Sequence, residues 1–338
     1  MPDRRAGDLH GHGSDAVDPG PRGAPEPPGR VKLPWIEQFP TRGGGSPMRT
    51  GAPLSSRPIR LLLPILLVAC RSLPPMAERR FDGREAFRHV QAQLAMGPRY
   101  PGSPGWEAVQ RYIRDHVTRA GWTFEVQPFT ASGISGRNLI ARAGRGPVIL
   151  VGAHYDTRRR ADRDPERPQD PVPGANDGAS GVAVLLELAR VLDRPRLRHE
   201  VWLVFFDAED QGELDGTPWI LGSTHFAATM AVTPTAMILV DMVGDADPQF
   251  YYERNSDPAL REQLWRIAAE LGYGAWFIPE PRWALIDDHL PFLQRGIPAV
   301  DIVDFDYPAW HTTADTLDRI SPATLEAVGR VIERFIEP

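Results

Sequence analysis

Five short motifs of acidic and histidine residues lie along this chain, each where a strand is expected to end. They are His154-Tyr155-Asp156, Gly174-Ala175-Asn176-Asp177-Gly178, Phe206-Asp207-Ala208-Glu209-Asp210, Leu239-Val240-Asp241 and Trp310-His311-Thr312. Apolar runs lead into three of them, at 148–151, 201–206 and 237–240. Because ligands bind at the carboxyl ends of strands in an open α/β sheet, these side chains are expected to converge on one crevice. Histidine and carboxylate ligands without a thiolate suit a catalytic zinc site.

Composition removes several other kinds of chemistry. Lys32 is the only lysine and Cys70 the only cysteine, and both precede the expected folded region, so Schiff-base, P-loop and thiol chemistry are excluded there. The first eighty residues hold 12 Lys and Arg against 7 Asp and Glu, a net charge of +5, so the remaining residues carry −11 of the total of −6. Nucleic acid is therefore not an expected partner of the folded part.

The N-terminal region has three expected parts. Residues 1–47 are rich in Gly, Pro and Arg, which predicts a disordered extension, or a mis-assigned start if Met48 is the first residue. Residues 48–70 combine arginines with a short apolar run and end in a sequence resembling a lipobox at Cys70, which predicts an export signal. Residues 71–81 are a linker. We expect a bacterial periplasmic protein or a lipoprotein, touching the membrane only through this signal or a lipid anchor.

The region 82–338 is predicted to be one catalytic domain of alternating helices and strands. Its pattern predicts a three-layer α/β/α sandwich with a mixed, mostly parallel central sheet and helices on both faces. A monomer is expected. The predicted helices are 84–96, 106–120, 178–192, 218–230, 257–271, 288–295 and 322–336, and the predicted strands 123–130, 137–143, 147–153, 200–207, 235–241, 249–253 and 298–303, with a short segment at 275–278.

Each site residue also has a simpler interpretation. His154 can bind metal while Asp156 orients it, but a histidine and an aspartate after one strand are weak evidence alone. Asp177 stands before a helix, where an N-cap is the ordinary role. Glu209 and Asp210 are more specific, because adjacent carboxylates need a cation or a proton to coexist. One of them can bind the metal while its neighbour transfers protons.

Three further positions complete the pattern. Asp241 again follows a strand, and His311 lies in a connector before the last helix, where a surface histidine is the simpler interpretation. Asp287 and Asp288 precede His289 and a short helix that they would cap, yet a second acidic pair suggests a proton network reaching the crevice. The arginines at 158–160 in the polar loop 157–173 are more typical of a solvated loop than of a lid.

At this point the chain resembles the zinc-dependent glutaminyl-peptide cyclotransferases and the co-catalytic zinc aminopeptidases that share their fold. The resemblance covers residues 82–338. It is carried by the motifs Gly97-Pro98-Arg99-Tyr100-Pro101-Gly102-Ser103, His154-Tyr155-Asp156, Gly174-Ala175-Asn176-Asp177, Phe205-Phe206-Asp207-Ala208-Glu209, Asp287-Asp288-His289-Leu290-Pro291-Phe292-Leu293 and Trp310-His311-Thr312.

The resemblance implies a role for each matched residue. It implies that one catalytic zinc is held by Asp177, Asp210 and His311 and that Glu209 transfers the proton. Asp241 and Asp287 would form an acidic network, and Trp310 would line the substrate pocket. In an aminopeptidase, His154 and Asp241 would hold a second zinc. Either enzyme would act on peptide or protein N-termini.

Two features favour the cyclotransferase, which closes an N-terminal glutamine to pyroglutamate with release of ammonia. They are Trp310 directly before His311 and the doubled acid Asp287-Asp288. Two features depart from that family, since Asp210 stands where a glutamate is typical and no aromatic residue follows it closely. Trp219 or Trp283 are the candidates to replace that aromatic. An exported zinc aminopeptidase remains the alternative, and a non-catalytic anchored binding scaffold the second, although Glu209 and His311 are both present.

Overall fold

Three strands at the centre of the sheet, Val148–His154, Glu200–Phe206 and Ala236–Asp241, run almost entirely through apolar residues, as expected for strands covered on both faces. A computed structural model describes residues 80–337, which belong to one compact unit. The predicted extension 1–47, the export signal 48–70 and linker residues 71–79 lie outside the described residues. In the described part, no helix combines the length and apolar character needed to cross a membrane.

Seven α-helices and eight strands make up this part of the chain, close to the predicted bounds. The helices are α1 Gly83–Ala95, α2 Pro104–Arg119, α3 Ala179–Val191, α4 Leu221–Thr229, α5 Pro258–Glu270, α6 Leu290–Leu293 and α7 Pro322–Ile336. The strands are β1 Thr123–Ala131, β2 Ile134–Gly144, β3 Val148–His154, β4 Glu200–Phe206, β5 Ala236–Asp241, β6 Phe250–Tyr252, β7 Phe277–Pro281 and β8 Ala299–Val303. Short 3-10 turns lie at Arg194–Arg196, Leu214–Gly216 and Leu317–Arg319.

Six strands form the central sheet in the order β1-β2-β4-β3-β5-β8. The hairpin β1-β2 is antiparallel, whereas β4, β3, β5 and β8 run parallel. The chain places β4 on one side of β3 and β5 on the other, so the strand order reverses at β3. Ligand sites of open α/β sheets form at such a reversal, and His154 ends this strand.

Alternate residues of each strand pack into different cores, which produces the three layers. Leu203 and Ile238 belong to the larger cluster, with α1, α2, α3, α5 and α7. Val204 and Leu239 belong to a second cluster, with Phe226 of α4 and Phe292 of α6. The predicted α/β/α sandwich with a mixed, mostly parallel sheet is confirmed. Both faces of the sheet are therefore covered, and its carboxyl edge is where polar side chains gather.

Candidate metal centre and active site

A first cluster forms where β3 and β5 end. Nε2 of His154 lies 3.0 Å from Oδ1 of Asp241 and 3.1 Å from Oδ1 of Asp177. All three side chains are buried. Parallel strands β3 and β5 are direct neighbours, so their terminal residues meet without any help from a loop. The structure therefore brings the two residues suggested for a second metal, His154 and Asp241, together with Asp177.

A second cluster shares Asp177 with the first. Nε2 of His311 lies 3.1 Å from Oδ1 of Asp210 and 3.9 Å from Oδ2 of Asp177. The two groups are the only ones among residues 80–337 in which three or more histidine or carboxylate ligands converge in this way. They coincide with the two sets of ligands that the resemblance implied, with Asp177 placed to bridge them.

The donors fit zinc. Two ligands of a tetrahedral zinc, each at 2.0–2.1 Å from the ion, stand about 3.3 Å apart, close to the 3.0–3.1 Å spacings of the two histidines from their nearest carboxylates. Oδ2 of Asp210 is buried without a hydrogen-bond partner in the described part of the chain. Buried carboxylates that share a site need a cation or a proton to coexist. Imidazole with carboxylate, without thiolate, is the donor set of catalytic zinc sites.

Asp177 is not a helix cap. Helix α3 has Gly178 at its N-cap position, with a φ of 91° and no side-chain capping hydrogen bond. The Ser180 hydroxyl donates to the Asn176 carbonyl at 2.5 Å instead. The N-cap interpretation of Asp177 is therefore wrong, and its carboxylate stays directed at the two histidines.

Two residues that the sequence did not single out hold the loop carrying Asp177. Asp315 accepts hydrogen bonds from the backbone N–H groups of Asn176 (2.8 Å) and Asp177 (3.1 Å) and from the Tyr307 hydroxyl (2.7 Å). The buried Arg99 donates to the carbonyl of Gly174 at 2.5 Å. Arg99 belongs to the Gly-Pro-Arg motif and Asp315 follows His311 by four residues, so both lay in or beside motifs already recognised.

Asp156 orients the acidic motif Glu209-Asp210 and does not orient His154. Its Oδ1 lies 3.7 Å from Nδ1 of His154, too far for a hydrogen bond. The carboxylate instead accepts from the backbone N–H groups of Glu209 (3.1 Å) and Asp210 (3.3 Å) and from the Gln211 amide (3.0 Å). The expectation that Asp156 orients the imidazole is corrected, because this carboxylate is engaged by the N–H groups of the segment that follows β4.

The loop 157–173 is only partly a solvated excursion. Arg158 is buried and donates to Asp162 at 2.6 and 2.8 Å and to the Asp210 carbonyl at 3.2 Å. Asp162 in turn lies 3.4 Å from Nδ1 of His311. Arg159 and Arg160 pair with Asp215 on the surface, as a solvated face would. The first arginine of the run therefore supports the metal centre, contrary to expectation.

The second acidic pair extends the site inward. Asp287, Asp288 and His289 are all buried. His289 Nε2 lies 3.1 Å from Glu253, and burial followed by the charge of Asp241 raises the pKa of Asp287 to about 7. Burial, and then the charge of Asp287, raises the pKa of Asp301 well above its usual range. Helix α6 has no side-chain cap, so these acids do not serve it.

A small cavity of about 200 Å³ opens onto the second cluster. Glu209, Asp287, Trp219 and Trp310 line it, and burial raises the pKa of Glu209 well above its usual value. Both tryptophans contact His311, Trp219 as a parallel ring at 5.9 Å and Trp310 at 3.9 Å between centroids. Trp283 does not line the cavity. It packs edge-on against Phe305, which does line it. Of the two candidates to replace the aromatic residue after Asp210, Trp219 lines the cavity and Trp283 does not.

Backbone strain is concentrated at the site. Non-glycine residues adopt a left-handed conformation at Ala208 (φ 54°), Met242 (φ 47°) and His311 (φ 58°). Ala208 precedes Glu209, and Met242 follows Asp241. Such conformations cost about 1–3 kcal/mol each and persist where the surroundings impose them, often at functional sites.

Comparison with known proteins agrees with this architecture. Histidines and carboxylates gathered at the carboxyl edge of a covered, mostly parallel sheet define an α/β protein with a candidate metal-binding active site. A family model described as Peptidase family M28 matches residues 138–336. The chain belongs to Peptidase family M28, as the resemblance predicted.

Individual relatives carry two kinds of name. The chain is 29% identical over 280 residues to a glutaminyl-peptide cyclotransferase-like protein of Bos taurus, covering 70% of this chain and 71% of that protein. The solved glutaminyl cyclase of Porphyromonas gingivalis is 34% identical with a TM-score of 0.72, and the match covers 76% of this chain and 98% of that one. A zinc-dependent exopeptidase from Parabacteroides distasonis is 32% identical with a TM-score of 0.73, over 77% and 99% of the two chains.

Proposed function

We propose that this protein is a zinc-dependent glutaminyl-peptide cyclotransferase, which converts the N-terminal glutamine of peptides or proteins to pyroglutamate and releases ammonia. The observation that carries the proposal is the shared cavity, in which Glu209, Trp219 and Trp310 line the same space as Asp177, Asp210 and His311. The relatives named glutaminyl cyclase, matched over nearly their whole length, support it.

Asp177, Asp210 and His311 would hold the ion. Zinc, when bound, supplies a Lewis acid that polarises a carbonyl, here that of the substrate γ-amide. The substrate α-amine forms a bond to the γ-amide carbon, and the bond from that carbon to the amide nitrogen breaks. Glu209 takes the proton from the α-amine and delivers it to the departing ammonia.

The surrounding residues prepare this transfer. Asp156 fixes the backbone of Glu209, so the carboxyl is held at one position between amine and leaving group. Asp241 and Asp287 line the cavity beside Glu209. They would keep the number of protons held at Glu209 constant during the reaction. Trp219 and Trp310 form the walls, which exclude water that would otherwise compete with the α-amine. Water is not a reactant in this cyclisation.

The direct test uses a peptide with N-terminal glutamine and the purified, zinc-loaded full chain. Mass spectrometry is expected to show loss of one ammonia with the peptide backbone intact. An unchanged peptide, or one shortened by its first residue, would overturn the proposal.

An aminopeptidase is the second candidate, because His154, Asp177 and Asp241 form a complete additional ligand group. Glu209 would then act as the general base for hydrolysis of the first peptide bond. The solved relative titled as a leucine aminopeptidase precursor, 32% identical, supports this alternative. Two zinc ions per chain, together with release of leucine from a leucyl peptide, would establish it.

We also propose that the catalytic region 82–338 is exported through the segment 48–70. The basic and apolar pattern of that segment and the lipobox-like context of Cys70 support the proposal. Identifying the N-terminal residue of the mature protein distinguishes a lipoprotein from a periplasmic protein. A lipidated Cys70 would establish a lipoprotein, an unmodified cleaved terminus a periplasmic protein, and an uncleaved chain would contradict export.

A further inference from the structure

One arginine of the loop between β3 and α3 lies against the rim of the cavity. The guanidinium carbon of Arg163 lies 4.1 Å from the ring centroid of Trp310, which lines the cavity. The backbone N–H of Arg163 donates to the His311 carbonyl at 3.3 Å. Thr313 donates its N–H to Asp164 at 2.9 Å, so the loop is attached to the connector that carries His311. Arg163 is therefore held in place relative to the site.

Its positive charge has no ion-pair partner among the residues that the structure describes. Arg158 is engaged by Asp162, and Arg159 and Arg160 by Asp215. Arg163 differs from these neighbours, since no carboxylate of residues 80–337 forms an ion pair with it, and its side chain is exposed. Stacking on an indole holds a guanidinium at low entropic cost and leaves its N–H groups free to bind a carboxylate.

A bound peptide would pass this arginine. With its first residue in a cavity of about 200 Å³, the following residues must leave over the rim that Trp310 helps to form. An extended chain advances about 3.3–3.6 Å per residue, so the second or third side chain comes within reach of a guanidinium stacked on that ring. Ala284, Leu285 and Ile286, which also line the cavity, are uncharged, and the carboxylates that line it are the candidate metal ligands and proton-transfer residues.

We propose that Arg163 is a specificity-determining residue that makes the enzyme prefer substrates with an acidic side chain at the second or third position. This inference rests on the proposed function, because it assumes that a peptide N-terminus enters the cavity. It assigns a substrate class, acidic N-terminal peptides, to the same site.

The test is the ammonia-release rate of the zinc-loaded full chain with matched peptide amides that carry glutamate, alanine or lysine after the N-terminal glutamine. The ratio of kcat/KM for the glutamate peptide to that for the alanine peptide is expected to be about fivefold at low salt, the upper range for an exposed ion pair. Arg163→Gln should bring the ratio near one, and Arg163→Glu should favour the lysine peptide. Raising the salt concentration should weaken the preference of the unmodified protein.

Two controls separate charge from structure. Arg163→Lys keeps the charge but not the planar group that stacks on Trp310, so it should keep the direction of the preference at a reduced ratio, whereas a general disturbance of Trp310 would slow all peptides equally. Arg159→Gln, in the same loop but paired with Asp215, should leave every ratio unchanged. Equal rates for the three peptides, or a preference that survives Arg163→Gln, would overturn the inference while the proposed function stands. Ammonia release from none of the peptides would overturn both.

Discussion

The carboxylate of Asp156 accepts a 3.1 Å hydrogen bond from the backbone N–H of Glu209. It thereby joins the end of β3, where His154 lies, to the end of β4, where the acidic motif begins. The same carboxylate also accepts from the N–H of Asp210. One buried acid therefore positions both the expected proton-transfer residue and an expected zinc ligand.

Removing one acceptor from Asp156 should weaken the metal site. In Asp156→Asn, an NH2 group replaces one of the carboxylate oxygens that accept from the backbone N–H groups of Glu209 and Asp210. The Glu209-Asp210 segment should therefore shift. Substituting such supporting residues lowers metal affinity by about 10–100-fold. The zinc dissociation constant, measured by competition with a chelator, should rise by that factor. Asp170→Asn, at an exposed position of the neighbouring loop, is the control and should leave zinc affinity as it was.

Glu209→Gln should separate catalysis from metal binding. The substitution keeps the shape of the side chain but cannot carry a proton between amine and leaving group, and general acid–base catalysis contributes about 10²–10⁴-fold to a rate. Ammonia release should fall by that amount while zinc content stays constant. Glu213→Gln, an exposed neighbour, should have little effect on turnover. Near-normal turnover in the Glu209 variant would remove this residue from the mechanism.

The sequence predicted the strand ends well because the apolar runs and the acidic motifs coincide. His154, Glu209 and Asp241 lie where strands β3, β4 and β5 end, and the parallel pairing of these strands brings them together. The positions of the strand ends can be predicted from the spacing of apolar and polar residues along the chain. The convergence of the five motifs on one edge was therefore predictable from the residues alone.

Gly178 should tolerate no side chain. It has a φ of 91°, and a Cβ atom there would lie 2.7 Å from the Asp156 carbonyl and 3.3 Å from the His154 ring. Gly178→Ala should lower both zinc affinity and the free energy of unfolding, the latter by more than the about 1–3 kcal/mol of backbone strain.

The matched control is Gly133→Ala. Gly133 has a φ of 78° in the β1-β2 turn with open space around it, so its substitution adds strain without contact. Urea unfolding and zinc titration of the two variants isolate the effect of the contact. Equal losses of stability and unchanged zinc affinity in both would contradict this account of Gly178.

Asp304 should make stability depend on pH. Burial, with smaller contributions from neighbouring acids, raises its pKa to about 7 in the folded chain, against about 3.9 when unfolded. Between about pH 4 and 7 the unfolded state has already lost the proton that the folded state keeps. Rising pH therefore favours unfolding, by up to about 1.4 kcal/mol per pH unit, and the effect is constant above about pH 7.

Asp304→Asn removes this titration. The free energy of unfolding of the variant, minus that of the unmodified protein, should increase from about pH 4 to 7 and then level off. Urea unfolding of both proteins across this range provides the measurement. A difference that stays flat, or that decreases with pH, would show that the carboxyl is ionised in the folded protein.

The parts of the site that the sequence did not predict depend on long-range packing. Arg158 is buried because Asp162 and Asp210 surround it, although it opens a run of three arginines. Trp219 reaches His311 only through the left-handed turn at Ile220 and the 3-10 turn before it. Local periodicity of the sequence predicts neither environment. It indicates which face of a regular helix or strand is buried, but it does not identify the partner of a loop residue.

The most direct test of the central claim follows ammonia and free amine in parallel. The zinc-loaded full chain is incubated with a glutaminyl peptide amide and, separately, with a leucyl chromogenic amide. The first substrate is expected to release ammonia, with no cleavage of its backbone, and the second to release no amine. Amine release from the leucyl substrate without ammonia from the glutaminyl peptide would contradict the cyclotransferase assignment and make His154 and Asp241 ligands of a second, hydrolytic zinc.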